Sequence, residues 1–152
     1  MTFNLHELCV PVDRSIREVV ASIDRSGCGI ALVTDQEGRL LDTITDGDVR
    51  RALLSNQDLG APVSELLVLK TKWSYPKPIT ALAGTEQSIL LRLMQENVVR
   101  QIPLLDPDGR LVNLITLDEL LPDQVLPLQA VIMAAARVVG SGLSPKRRPS
   151  RC

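Results

Sequence analysis

Two stretches of this 152-residue chain repeat each other at a constant separation of 71 residues. Residues 35–48 align with residues 106–119, and six positions in this register are identical: an Asp, a Gly, an Arg, a Leu, an Ile and a Thr. A shared fold accounts for apolar identities, but it does not require a Thr followed three residues later by a carboxylate in both copies. The pattern therefore predicts a tandem duplication, with function at the polar ends of the repeats.

Each copy has the pattern of a β-α-β-β-α unit. In the first copy, residues 8–10 predict a short strand, and Ser15 and Glu18 have the spacing of a capping box. Apolar residues at 16, 19, 20 and 23 give the next helix one buried face, and Gly27 is predicted to end it. Residues 29–33 and 40–44 predict a hairpin, and a second helix runs from Asp46 to about Asn56.

The second copy repeats this order, with strands at 78–82, 102–105 and 111–115, Thr85 as a helix cap and a closing helix at 118–121. We therefore predict an α+β fold of two units related by pseudo-twofold symmetry. The predicted divisions are a first unit at 5–58, a linker with a short helix at 59–76, a second unit at 77–122 and a tail at 123–152. Trp73 and Tyr75 of the linker are expected to pack over the joint between the units.

Composition and charge exclude several classes of function. Only Phe3, Trp73 and Tyr75 are aromatic, which argues against single-stranded nucleic-acid binding by base stacking. Residues 1–122 carry 17 acidic and 12 basic side chains, a net charge of −5, and so lack the positive surface that duplex DNA requires. The tail carries 5 basic side chains and 1 acidic, and we predict a solvated segment rather than an RNA or membrane contact.

The cysteines and the chain start indicate the compartment. Cys9, Cys28 and Cys152 have neither disulfide-framework nor zinc-ligand spacing, so we predict reduced thiols in a cytoplasmic protein. No signal-peptide pattern opens the chain, and the longest apolar run, 130–136, is far shorter than the ~20 residues that span a bilayer. The single histidine, His6, has no partners for a metal site or a catalytic triad. We predict no metal and no catalytic residue.

The duplicated unit resembles a tandem pair of CBS domains, the Bateman module, over residues 5–122. The resemblance rests on residues 42–48, Asp-Thr-Ile-Thr-Asp-Gly-Asp, and on their second copy at 113–119, Asn-Leu-Ile-Thr-Leu-Asp-Glu. Asp42 and Asn113 stand where that family usually has Gly. Both residue types tolerate positive φ, although their side chains would narrow a nearby cleft. Glu119 stands where the family has Asp.

The resemblance implies a nucleotide site at each motif, with an adenine nucleotide as the expected ligand. In CBS pairs that bind nucleotides, the motif Asp takes the ribose hydroxyls and the Ser or Thr lies near the ribose and phosphate. A carboxylate suits a diol because it offers two charged acceptor oxygens. The candidate nucleotide-binding residues are Ile30, Thr45, Asp48, Arg50, Arg51, Arg100, Ile102, Thr116 and Glu119. Arg50 and Arg51, or Arg100 from the other copy, are the candidate sources of positive charge at the first motif.

Two points about these motifs stay open at the level of sequence. Thr45 followed by Asp48 is also good chemistry for capping a helix without any ligand. If a nucleotide does bind, we expect the stronger site at Thr45 and Asp48. Glu119 in the second copy has an extra methylene and more rotamer entropy to lose on ordering, so Thr116 and Glu119 are expected to form the weaker site.

The tail suggests an associated enzyme. Residues 129–136, Gln-Ala-Val-Ile-Met-Ala-Ala-Ala, resemble the first strand of sugar-phosphate nucleotidyltransferases, although Ala135 and Ala136 replace the glycines of that family's phosphate loop. The resemblance implies a truncated or altered start of such a domain, and an ordinary apolar helix is the alternative. The prediction is a non-enzymatic regulatory module that binds an adenine nucleotide and tunes a nucleotidyltransferase. The competing hypothesis is a ligand-free module that mediates dimerisation, and the resemblance implies a homodimer through CBS helices.

Overall fold

A computed structural model describes residues 4–73 and 77–121 of the chain. Every element described below belongs to the unit that ends at Leu120. The predicted nucleotidyltransferase-like segment at 129–136 lies outside the described residues, as does Tyr75.

The first repeat and the segment after it contain four helices and three strands. They are α1 (Leu5–Leu8), β1 (Cys9–Pro11), α2 (Ile16–Ser26), β2 (Ile30–Thr34), β3 (Leu40–Thr45), α3 (Asp46–Leu54) and α4 (Val63–Lys70). The second repeat contains β4 (Ala81–Leu82), α5 (Gln87–Asn97), β5 (Gln101–Leu105), β6 (Leu111–Thr116) and α6 (Leu117–Leu120). The predicted α+β class and the duplicated β-α-β-β-α order are confirmed.

The 71-residue register of the sequence is also the register of the structure. Helices α2 and α5, strands β2 and β5, and strands β3 and β6 each have the same length and begin 71 residues apart. In each repeat the first strand pairs parallel to the second, and the second pairs antiparallel to the third. A register shift occurs between Val33 and Thr34, and the equivalent shift occurs between Leu104 and Leu105. The two units therefore share even their irregularities.

Identical turn chemistry closes both hairpins. Asp35 Oδ1 accepts hydrogen bonds from the backbone N–H of Glu37 at 2.9 Å and of Arg39 at 2.8 Å. Asp106 repeats this pattern, with both bonds at 2.9 Å. An Asp side chain that bonds to the backbone ahead of it stabilises a tight turn, which explains why the Asp is identical in the two copies.

The two hairpin turns also bond to each other. The N–H of Leu40 donates to Gly109 O at 3.1 Å, and the N–H of Leu111 donates to Gly38 O at 3.0 Å. These two bonds interchange under the 71-residue shift, which is what a pseudo-twofold axis between the turns requires. Gly38 and Gly109 have φ values of 80° and 83°, in the region that favours glycine.

Three apolar clusters hold the unit together. One lies under α2, α3 and α4 in the first repeat, and Trp73 packs against it. A second belongs to the second repeat around Leu90, Met94 and Ile102. The third joins the repeats, because fully buried Leu114 of β6 packs with Leu8, Ile30 and Leu32 of the first repeat. Strand β6 of the second repeat thus contributes to a core that it shares with the first repeat.

Some local predictions differ from the structure. The N-cap of α5 is Glu86, without a side-chain cap bond, rather than Thr85, because the Thr85 hydroxyl donates to Leu82 O instead. Helix α4 continues to Lys70, beyond the short helix that the sequence predicted. Neither Asp42 nor Asn113 adopts positive φ; both are ordinary strand residues.

Candidate functional site

Thr45 and Asp48 form a complete capping box at the start of α3. The Thr45 Oγ1 accepts from the N–H of Asp48 at 3.4 Å and lies 3.1 Å from Asp48 Oδ2. The N–H of Thr45 donates to the same carboxylate oxygen at 2.9 Å. The capping geometry that the sequence offered as an alternative is therefore present at the first motif.

Two cations surround the same carboxylate. Arg51 Nη2 donates to Asp48 Oδ1 at 2.8 Å, and Lys70 Nζ lies 3.8 Å from Asp48 Oδ2. Asp48 is only 5% exposed. The Arg51 guanidinium in turn lies over the Trp73 ring, with its Cζ 5.1 Å from the ring centroid. Both oxygens of the Asp48 carboxylate are thus engaged by the chain itself.

Lys70 is the most unexpected residue near the first motif. It ends α4 and is only 3% exposed. Its ammonium donates to Asp42 Oδ1 at 2.7 Å and to the carbonyl oxygen of Thr43. A buried lysine is tolerated when it is paired and hydrogen-bonded, so Asp42 in β3 explains why Lys70 can lie there. Sequence reasoning missed this pair, although a carboxylate in the place of the family's Gly was a signal that a buried cation lies close.

The second motif is more open. Glu119 is exposed, and its Oε2 accepts from the N–H of Thr116 at 2.8 Å and from the Thr116 hydroxyl at 3.1 Å. Among the hydrogen bonds of the described residues, none involves Glu119 Oε1. Its Oε1 is therefore free to accept hydrogen bonds, whereas each oxygen of the Asp48 carboxylate already accepts at least one.

Arg100 lies beside the second motif. Its carbonyl accepts from the N–H of Leu117 at 2.8 Å, and its Nη2 lies 3.6 Å from Asp118 Oδ1. The two side chains are 72% and 82% exposed, so this ion pair is weak and easily exchanged. The sequence had offered Arg100 as a cation for the first motif, but the structure pairs it with the acidic residue next to Glu119.

The remaining candidates lie apart from the two carboxylates. Ile30 is buried in the cluster that joins the repeats, and Ile102 is buried in the core of the second repeat. Neither isoleucine side chain is free to contact a ligand in this conformation. Arg50 is exposed and forms none of the ion pairs found among the described residues. The assignment of these residues to a nucleotide site stays a prediction.

Other possible sites in the described residues are few. No group of three or more His, Cys, Asp or Glu in residues 4–73 and 77–121 is arranged to hold a metal ion. In the same residues, no helix has both the length and the apolar character needed to cross a membrane.

An open cavity of about 410 Å³ between α1, β1 and α2 is lined by residues such as Arg14 and Arg25, and it includes neither motif.

The chain belongs to the CBS domain family, whose profile matches residues 4–55 and 73–122. It is therefore a tandem CBS pair. This agrees with the geometry, in which each repeat ends its sheet on the Thr-x-x-carboxylate motif.

Relatives of known activity are longer than this chain, and the similarity covers only part of their length. The chain is 28% identical over 105 residues to arabinose 5-phosphate isomerase GutQ of Salmonella typhi, covering 69% of this chain and 30% of the relative. The chain thus spans less than a third of the length of that isomerase. The predicted link to a nucleotidyltransferase finds no support here, because the enzyme named among these relatives is an isomerase.

Two solved structures illustrate the fold. The CBS domain protein PAE2072 from Pyrobaculum aerophilum, complexed with AMP, matches with a TM-score of 0.64 and 20% identity, over 82% of this chain and 91% of that one. The cytosolic domain of the Mg²⁺ channel MgtE in complex with ATP matches with a TM-score of 0.57 and 25% identity, over 74% of this chain and 42% of that one.

Proposed function

We propose that this CBS pair is a regulatory module that binds an adenine nucleotide. The observation that carries the proposal is the exposed Glu119 carboxylate, which is fixed through one oxygen by Thr116 and lies in the motif next to Arg100. The AMP and ATP complexes of two structures with a similar fold support an adenine nucleotide as the ligand class.

The chemistry of the second motif suits such a ligand. Oε1 of Glu119 can accept hydrogen bonds from a ribose diol, and bonds to a charged acceptor are stronger than neutral ones. Arg100 can exchange its exposed partner Asp118 for a phosphate, because arginine matches phosphate geometry well. The hydrogen bond from the Thr116 hydroxyl holds the Glu119 carboxylate in position for the ribose.

Regulation would follow from a shift between conformations. A ligand changes the equilibrium between two arrangements only by as much as it binds them differently. The bond from Gln101 Nε2 to Cys28 O at 2.6 Å connects the start of β5 with the first repeat. Gln101 follows Arg100 directly, so a nucleotide at the second motif would act on a contact between the repeats.

The associated enzyme is proposed from the relatives. The isomerases act on arabinose 5-phosphate, as their names state, so a sugar-phosphate isomerase is favoured over the nucleotidyltransferase that the sequence suggested. The chain can be used as bait in a lysate of its source organism. The captured fraction should isomerise arabinose 5-phosphate, and formation of nucleotide sugars without isomerisation would contradict this part of the proposal.

Nucleotide binding is tested by differential scanning calorimetry. A ligand at a hundredfold excess over its dissociation constant stabilises the native state by ~2.7 kcal/mol. AMP, ADP or ATP should raise the unfolding temperature by several degrees, while ribose 5-phosphate, which lacks the base, should raise it less. The proposal fails if none of the three adenine nucleotides changes the unfolding temperature at millimolar concentration.

A homodimer is proposed as well. Exposed apolar side chains lie on neighbouring helices, with Leu53 50% and Leu54 78% exposed on α3 and Val68 65% exposed on α4. Such residues are candidates for burial against a second copy. Light scattering should give twice the chain mass of 16.6 kDa, and Leu54→Asp should shift the mass towards the monomer. A monomer at high micromolar concentration would refute this.

A further inference from the structure

At the first motif, side chains of the protein itself already bind the Asp48 carboxylate on which a ligand would depend. A ribose diol at Asp48 would have to compete with Arg51 for Oδ1, or with the two Thr45 donors for Oδ2. Lys70 adds a second positive charge 3.8 Å from Oδ2. The carboxylate is buried, so water cannot easily compensate the bonds lost during such an exchange.

Lys70 cannot simply swing away to open the site. Its ammonium is fixed between the Asp42 carboxylate and the Thr43 carbonyl, and its side chain is only 4% exposed. Removing Lys70 from this pocket would leave the Asp42 charge buried without its main partner. Arg51 is different: its side chain is 47% exposed but is held over Trp73.

The described residues of the second repeat contain no equivalent of this arrangement. At the 71-residue offset, Asn113 is opposite Asp42 and Pro122 is opposite Arg51. Asn113 is neutral and exposed, and among the described residues its side chain bonds only to the N–H of Leu114, from which its Oδ1 accepts at 2.9 Å. Lys70 belongs to α4, and no helix in the described part of the second repeat corresponds to α4.

We infer that Lys70, paired with Asp42 and assisted by Arg51, closes the first motif to nucleotides and leaves the motif of Thr116 and Glu119 to bind one nucleotide per chain. Lys70 is a specificity-determining residue in this view, because it decides which repeat responds. The inference rests on the proposed function, and it reverses the order of the two sites that stem length suggested.

Isothermal titration calorimetry with AMP on the full chain tests the inference. The unmodified protein should bind one AMP per chain. Glu119→Gln should weaken binding by about tenfold or more, the usual effect of losing one charged hydrogen-bond partner. Asp48→Asn should leave the affinity within about threefold of the unmodified value, well under the effect of a lost charged partner. Asp46→Asn serves as a control for removing an exposed acidic charge from the first turn of α3.

A second variant tests the closure directly. This variant combines Asp42→Gly, Arg51→Ala and Lys70→Met. It removes both cations beside Asp48 and restores the Gly of the family motif. This opened variant should bind two AMP per chain, and circular dichroism must first show that it is folded. If it is not, hydrogen exchange on the unmodified chain replaces it, and AMP should then protect 114–120 and leave 43–49 unchanged.

The outcomes separate this inference from the proposed function. Two AMP per unmodified chain, or equal losses for Asp48→Asn and Glu119→Gln, would overturn the inference and leave nucleotide binding intact. If the unmodified chain binds no AMP, the proposed function fails. The opened variant then decides whether the first motif is closed. Binding by the opened variant supports closure of the first motif, and no binding overturns it.

Discussion

Val98 occupies a strained backbone position, and the equivalent position of the first repeat is a glycine. It ends α5 with φ 54° and ψ 43°, the left-handed conformation, and donates its N–H to Met94 O. Gly27 occupies the equivalent position at the end of α2, with φ 66° and the same bond to Ile23 O. A β-branched residue in this conformation is rare. The two repeats thus provide a natural pair for measuring the cost.

The size of the effect follows from the exposure of Val98. Its side chain is 90% exposed, so Val98→Gly removes almost no packing. An L-residue loses roughly 1–2 kcal/mol in the left-handed region, while glycine loses about 0.4–1 kcal/mol more entropy than a larger residue on folding. Val98→Gly should therefore stabilise the protein by about 1 kcal/mol, equivalent to an increase of about 4 °C in Tm.

The reverse substitution in the first repeat is the matched control. A Cβ added at Gly27 would meet nothing within 4 Å, so Gly27→Val creates strain without a clash. It should destabilise the protein by about 1 kcal/mol, the same difference with the opposite sign. Gly27→Val combined with Val98→Gly should return the stability close to that of the unmodified chain, because distant sites act additively.

Urea denaturation followed by the fluorescence of Trp73, the single tryptophan of the chain, measures these changes. The midpoint should move while the slope stays constant, which identifies a change in stability alone. If Val98→Gly destabilises the protein, the left-handed conformation does not strain Val98 and the reasoning is refuted.

Two further results are expected from the ion pairs and the capping box. Lys70→Met should destabilise the protein by about 3–5 kcal/mol because it leaves the buried Asp42 carboxylate without its cation. Arg51→Ala should cost about 1 kcal/mol or less, because the Arg51 side chain is half exposed. Equal costs of the two substitutions in urea denaturation would show that burial does not set the strength of these ion pairs. The N–H and then the hydroxyl of Ser15 lower the pKa of Glu18 below its usual 4.5, so the stability that Glu18 contributes should be present above pH 4.5 and disappear as the pH falls through the lowered value. The difference in Tm between the unmodified chain and Glu18→Gln should shrink with it, and a difference independent of pH would exclude this contribution.

The local pattern of the sequence predicted much of the fold. The capping box of Ser15 and Glu18, the left-handed end at Gly27 and both hairpin turns depend on residues within a few positions of each other, and the structure contains all of them. The duplication then fixed the order of the second repeat. Those features are local, and local chemistry is readable from sequence.

The state of the candidate site was harder to predict because it depends on distant residues. Lys70 and Asp42 are 28 positions apart, and nothing in the spacing of either indicates the other. Arg100 was expected at the first motif, but backbone pairing at the start of α6 places it at the second. The shorter side chain of Asp48 favoured it over Glu119 as the stronger nucleotide site. Burial and competing cations favour Glu119 instead, and only the tertiary structure shows them.

A crystal structure of the full chain grown with saturating AMP would show which motif holds the nucleotide. We expect density for one nucleotide per chain at the second motif, with the ribose diol on Glu119 and the phosphate near Arg100. Lys70 should still bridge Asp42 and the Thr43 carbonyl, as it does without ligand. AMP with its ribose on Asp48, and with Arg51 displaced, would show that the first motif is open and that the assignment of the site to the second motif is wrong.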